Sequence, residues 1–83
     1  MDNFEEKPIG VYIRIDQDNN IIEINSDIFI EDLSGWIKID EGFGDKYAHA
    51  QSQYFDESLI NEDGQYTYMY SNGRVLKNLY ANF

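Results

Sequence analysis

The sequence predicts a mainly β fold with a minor α contribution: a small antiparallel β-meander of hairpins with one short helix. Three observations predict it. Apolar and polar residues alternate from Val11 to Asp16, as in a half-buried strand. The strictly alternating run Tyr66 to Tyr70 comes just before Asn72-Gly73, the pair preferred in two-residue type I′ turns. Both hairpins are local in sequence, which favours a meander.

The first hairpin is predicted from residues 11–15 and 21–24, joined by the turn DQDNN at 16–20. Asn and Asp tolerate left-handed backbone angles and hydrogen-bond their own backbone, so such a run turns the chain. Simple alternation places Ile22 and Ile24 on one face of the second strand.

The next segment is ambiguous. Ser26 and Asp27 can cap a short helical turn over residues 28–33, yet the β-branched content suits an extended chain equally well. Both interpretations stay open. After Ser34-Gly35 the alternation resumes, which predicts a strand over residues 36–40.

Glycines at 42 and 44 predict a turn over residues 41–44. Asp45 is the expected N-cap of a helix that continues to Gln53. Helical spacing would place Tyr47 and Tyr54 on one face.

The last hairpin has the clearest signals. A turn at residues 62–64 precedes the strand 66–70, and the chain returns over residues 74–79. A two-residue loop fixes the cross-strand pairs. They are Tyr70 with Val75, Met69 with Leu76, and Tyr68 with Lys77.

Length and charge bound the possible functions. The 83 residues predict a polar arm at 1–9 and a single small β-rich domain at 10–83. The net charge of −10 opposes binding to nucleic acid or to anionic membranes. No apolar window approaches the ~20 residues of a membrane span, and the N-terminus does not resemble a signal peptide. Synthesis and retention in the cytoplasm are therefore expected.

The charges are unevenly distributed. Six acids and no base lie between Arg14 and Lys38, whereas residues 64–83 contain Arg74 and Lys77 and no acid. This asymmetry suits head-to-tail or heterotypic contacts, and it also suits simple solubility.

No pattern indicates catalysis, a metal or a cofactor, so none is predicted. Cysteine is absent and His49 is the only histidine, which excludes thiol catalysis and the usual zinc ligand sets. Asp16 to Asn20 resembles the start of a calcium loop, but Ile21 stands where that loop requires glycine. Asp40 and Glu41 are adjacent on a strand and point to opposite faces. The short Gly42-Phe43-Gly44 run is a tight turn.

Aromatic residues are the strongest candidates for a contact surface. Tyrosine favours interfaces because it supplies a large area at low entropic cost. The same row of tyrosines would equally form core packing, and both interpretations remain open. The candidate interface residues are Tyr66, Tyr68, Tyr70, Phe43, Tyr47 and Tyr54.

Three segments together resemble a known family. They are VYIRIDQDNNIIEINSDIF at 11–29, LSGWIKIDEGFGDKYAHAQSQYF at 33–55 and LINEDGQYTYMYSNGRVL at 59–76. The pattern is similar to a small domain of phages and phage-tail-like bacteriocins (tailocins) of Firmicutes, mainly Clostridia. The resemblance covers residues 10–77, and its most specific parts are 36–42 and 44–51. It carries no catalytic signature.

The resemblance implies a non-catalytic structural component of a tail, at the baseplate or the tail-fibre attachment region. Its expected partners are larger fibre or baseplate proteins, with many copies per particle by rotational symmetry. It would be present in the host cytoplasm during assembly and afterwards in the virion or tailocin. Two alternatives remain: a tail-fibre assembly chaperone, and an acidic DNA mimic that inhibits a host nuclease or DNA-binding protein.

Overall fold

A computed structural model describes residues 7–78 and confirms the mainly β, antiparallel fold class. Its strands are β1 (Ile9–Ile15), β2 (Ile21–Ser26), β3 (Ile37–Gly42), β4 (Tyr68–Ser71) and β5 (Arg74–Lys77), and its helical turns are α1 (Asp45–Ala48) and α2 (Ala50–Gln53). Most of the predicted arm, and the predicted end of the last strand at Leu79, lie outside the described residues. Ile9, assigned to the arm, already belongs to β1.

The strand order departs from a simple meander. The first sheet has the order β2-β1-β3, and β4 pairs with β5 in a second sheet. Because β1 is central, the chain that leaves β2 must cross to the far side of β1 through residues 27–36. A sequential hairpin prediction cannot foresee this crossing, since β3 alternates equally well on either side.

The β1–β2 hairpin forms as predicted, with one correction. The register pairs Ile13 with Ile24 and Ile15 with Ile21, so Ile22 is an extra, bulged residue. The bulge offsets the alternation, and Ile21 and Ile24 are buried while Ile22 is half-exposed. The expectation that Ile22 and Ile24 share one face was therefore wrong.

The β4–β5 hairpin has the predicted register at every pair. Asn72 and Gly73 both have positive φ, 54° and 77°, as a type I′ turn requires. The strand begins at Tyr68, later than predicted, and Tyr66 instead forms an isolated bridge with Ile60.

We expect Gly73→Ala to lower the free energy of unfolding by about 1–2 kcal/mol, because a side chain disfavours the left-handed backbone at φ 77°. Asn72→Gly is the matched control, since glycine adopts positive φ without strain. Urea denaturation of both variants measures the difference. Equal stability of Gly73→Ala and the unchanged protein would show that the turn has another geometry.

The predicted helix is two separate turns, broken at His49 (φ −111°, ψ 45°). The Ser26 hydroxyl donates a hydrogen bond to the Ala48 carbonyl at 3.1 Å. In an unbroken helix the Ser52 N–H would donate to that carbonyl, but here it donates to the His49 carbonyl. Asp45 is the first helical residue and Gly44 occupies the N-cap position, which corrects the predicted cap.

Two loops share one hydrogen-bonding pattern. Asp16 accepts the backbone N–H of Asp18 and of Asn20 at 2.9 Å each, and its own N–H bonds to the Asn20 carbonyl. Asn61 makes the equivalent bonds in residues 61–65. The side-chain hydrogen bond from Asn20 is the main reason that the pKa of Asp16 lies below its ordinary value. The Asp16 carboxylate therefore closes a hairpin, which accounts for the part of this loop that resembles a calcium site.

The core lies where the first sheet meets the helical turns and β4. Its fully or nearly fully buried apolar members are Val11, Ile13, Ile21, Ile24, Ala50 and Tyr68. The second sheet joins the first at the start of β2, where Asn20 bridges Met69 and the Tyr70 N–H donates to the Asn19 carbonyl at 2.9 Å.

Candidate interaction surface

Four aromatic rings form a continuous chain from α1 to β4. Tyr47 lies 6.0 Å from Tyr54, Tyr54 meets Phe55 edge-on at 5.3 Å, and Phe55 stacks on Tyr68 at 4.2 Å between ring centroids. Tyr68 is 8% exposed. Three of the six predicted interface residues, Tyr47, Tyr54 and Tyr68, thus pack within this row of aromatic rings. Phe55, which links Tyr54 to Tyr68, was absent from the prediction.

The remaining predicted interface residues, Tyr66, Tyr70 and Phe43, differ in how much of each side chain is exposed. Tyr70 is half-buried against the core and Tyr66 is half-buried beside Ile60. Phe43 is 55% exposed, between the end of β3 and the start of α1. Of the predicted set, Phe43 alone therefore presents most of its ring to a partner.

A second bulge positions the polar end of the aromatic chain. In the β1–β3 register Val11 pairs with Asp40 and Tyr12 with Lys38, which leaves Ile39 as the extra residue. The Asp40 carboxylate accepts a hydrogen bond from the Tyr54 hydroxyl at 2.7 Å. Burial is the larger cause, and this hydrogen bond the second, of a pKa of the Tyr54 phenol that lies well above its usual range.

We expect Tyr54→Phe to lower the free energy of unfolding by about 1–3 kcal/mol near neutral pH, because it removes a hydrogen bond to a charged group. The native phenol has the higher pKa, so its contribution is complete below about pH 10 and is lost as the pH rises through the native pKa. Urea denaturation across the alkaline range should show a flatter pH dependence in the variant.

Tyr66→Phe is the matched control for this change, since its hydroxyl has no hydrogen bond within residues 7–78. It should leave stability within about 0.5 kcal/mol. An alkaline dependence of Tyr54→Phe as steep as that of the unchanged protein would contradict the role of the Tyr54–Asp40 bond.

The most exposed apolar group lies elsewhere, on the connection from β2 to β3. We call residues 27–36 the crossing loop. Ile28, Phe29 and Leu33 are 55%, 60% and 40% exposed, respectively. Folding alone does not bury them, and apolar side chains clustered on one loop mark interaction sites more often than single ones.

The crossing loop is fixed at both ends. The Asp27 N–H donates to the Gly10 carbonyl at 2.9 Å, and the Asp27 carboxylate accepts the Gly10 N–H at 3.2 Å. At the other end the Trp36 N–H bonds to the Leu33 carbonyl, and the Arg14 guanidinium lies 5.7 Å from the Trp36 ring. The exposed side chains therefore project from a segment with anchored ends.

Acids surround the apolar side chains of this loop. Asp27, Glu31 and Asp32 are exposed, and no base occurs between Arg14 and Lys38. The Ser34 backbone N–H donates to Asp32 at 2.9 Å, and this bond is the main cause of a lowered pKa at that carboxyl. The surface is consequently apolar and anionic at neutral pH.

This surface was not predicted from the sequence, because residues 28–33 fit neither the helical nor the strand period clearly. The structure places a turn at 27–29 and irregular chain after it, neither helix nor strand. The available signal was three large apolar residues in succession, Ile28 to Ile30, in a segment without a consistent hydrophobic face.

One cavity among the described residues adjoins the crossing loop. This cavity of about 250 Å³ adjoins Phe29 and is lined also by Asn25, His49, Gln51 and Ser52. Within residues 7–78, no three His, Asp or Glu side chains converge as metal ligands. In the same part of the chain, no helix is long and apolar enough to cross a bilayer.

No family model, curated protein or solved structure matches this chain.

Proposed function

We propose that this chain is a non-catalytic structural component of a phage or phage-like tail, at the baseplate or the tail-fibre attachment region, and that it acts through protein–protein contacts. The main support for a role in protein contacts is that Ile28, Phe29 and Leu33 are exposed on the crossing loop, whose ends are anchored. The tail location is supported by the family resemblance of residues 10–77.

The distribution of acids favours protein contact over DNA mimicry. On the crossing loop the carboxylates are interspersed with exposed apolar side chains instead of forming a continuous anionic surface. A DNA mimic would present charge without the apolar area, and its complexes would weaken steeply with added salt.

Purified particles test the proposal. Quantitative mass spectrometry of tails from a producing strain should find the chain at a copy number that matches the rotational symmetry of the tail. Phe29→Asp should reduce its incorporation, because a charge replaces an exposed apolar contact. Ile60→Asp, at a residue 51% exposed in the segment between α2 and β4, is the control and should be incorporated normally.

The alternatives predict different results. A chaperone would bind fibre proteins in the lysate and be absent from finished particles. An inhibitor would bind a host DNA-binding protein in a salt-sensitive complex. The chain found only free, both in lysate and after particle purification, would contradict the proposal.

A further inference from the structure

Among residues 7–78, no strand pairs with the outer edge of β5. Within residues 7–78, β5 pairs only with β4. The Tyr70 N–H points away from β5, toward the Asn19 carbonyl at 2.9 Å. In an antiparallel pair the opposite residue faces the other way, so Val75 directs its N–H and C=O to the free edge. Such an edge can accept another extended segment.

The side chains of β5 complement the crossing loop. Leu76 is 42% exposed and Arg74 is exposed, with no ion pair to any residue of 7–78. Lys77 lies on the opposite face of the strand and is paired with Glu57, so Arg74 supplies the positive charge beside Leu76. Residues 64–83 contain no acid, so this strand lies in the longest acid-free part of a chain of net charge −10.

The edge strands of the first sheet, β2 and β3, are less suitable. Each pairs with β1 through a register that shifts, and a bulge disrupts regular pairing along an edge. The register of β5 has no such shift. Its edge is therefore more regular than those of β2 and β3 for adding a strand.

The loop and the β5 edge lie toward opposite ends of β2. Ile28 and Phe29 follow Ser26 at the end of that strand, whereas β4 meets the sheet at Asn20, before its start. The six residues of β2 span roughly 20 Å. Ile28 and Phe29 therefore follow the end of β2 that is remote from its junction with β4.

We propose that the crossing loop of one copy docks on the β5 edge of a second copy, head to tail. The apolar loop side chains meet Leu76, and Glu31 and Asp32 face Arg74, which lies on the same face of β5 as Leu76. This contact is heterologous, so repetition produces a ring when the rotation closes and a filament when it does not. At 0.15 M salt, the electrostatic repulsion between two negatively charged copies is screened beyond about 8 Å. Oppositely charged side chains that meet at the interface are closer than this distance, so their attraction is retained.

Sedimentation velocity of the purified full chain tests this, from micromolar concentrations to about 1 mM. The unchanged protein should associate as concentration rises. Phe29→Asp and Leu76→Asp should each remain monomeric, because each removes one half of the contact. An equimolar mixture of the two should form dimers and nothing larger, since one intact loop and one intact edge remain per pair. Ile60→Asp is the control and should associate like the unchanged protein.

A charge change supplies an independent test in case Leu76→Asp impairs folding. Arg74→Glu should weaken association about tenfold or more. Lys7→Glu changes the net charge equally at another exposed site and should weaken it much less. An unchanged protein that remains monomeric up to 1 mM would overturn the inference. Dimers of Phe29→Asp alone, or a mixture that stays monomeric, would overturn the head-to-tail geometry.

Discussion

Replacement of Ile13 by alanine is expected to lower the free energy of unfolding by about 2–5 kcal/mol. Ile13 is fully buried in the central strand, between Ile24 of β2 and Ile37 of β3. Truncation removes buried methyl groups and leaves a cavity that strands on both sides prevent from closing. A domain of 83 residues has a total stability of roughly 4–12 kcal/mol, so the change should unfold a measurable fraction of molecules.

Ile28→Ala is the matched control, since Ile28 is 55% exposed on the crossing loop. It should change stability by no more than about 0.5 kcal/mol. Urea denaturation followed by circular dichroism should shift the midpoint of Ile13→Ala to lower urea with little change in slope. Similar midpoints for the two variants would contradict the placement of β1 at the centre of the core.

The second large effect is expected at Tyr68. Tyr68→Ala should cost about 3–5 kcal/mol, the range of other buried aromatic truncations. The ring is 8% exposed and stacks on Phe55 at 4.2 Å, and it is part of the contact between β4 and the rest of the core. Its loss should loosen the β4–β5 hairpin as well as the aromatic chain.

Two controls separate ring packing from other roles of the row. Tyr68→Phe keeps the ring and should cost about 1 kcal/mol or less. Tyr66→Ala removes a half-buried ring with no ring contact among the described residues, and about 1 kcal/mol is expected. Thermal unfolding measures all three. A Tyr68→Ala protein as stable as Tyr66→Ala would contradict the core position of Tyr68.

Local turn chemistry explains why the hairpins could be predicted. Asn72-Gly73 fixes a two-residue turn, and the turn fixes every pair from Ser71 with Arg74 outward. At Asp16 the residue types also sufficed, because one carboxylate closes the loop with its neighbours' N–H groups. These features depend on a few adjacent residues, so the sequence contains them directly.

Tertiary contacts determined what the sequence did not reveal. The break at His49 depends on the Ser26 hydroxyl, 22 residues away from its acceptor at Ala48. The bulge at Ile22 depends on the core that Ile21 enters. Whether β3 pairs with β1 or with β2 depends on the path of residues 27–36. The apolar residues of that segment have no regular spacing from which the path could be predicted.

The candidate surface was only partly visible for the same reason. Tyrosine spacing placed Tyr68 in a row with Tyr66 and Tyr70, but spacing does not reveal that Phe55 covers the Tyr68 ring. The crossing loop became a candidate only when the exposure of Ile28, Phe29 and Leu33 was known. The exposure of a side chain is a property of the fold and cannot be read from the amino-acid sequence alone.

Hydroxyl-radical footprinting of the chain, free and within purified tail particles, tests the central claim most directly. If neighbouring subunits cover the crossing loop, labelling of Phe29 and Leu33 falls several-fold in the particle while labelling of Ile60 stays at the level of the free protein. Equal labelling of Phe29 and Leu33 in both states would contradict the claim that this chain acts through that surface.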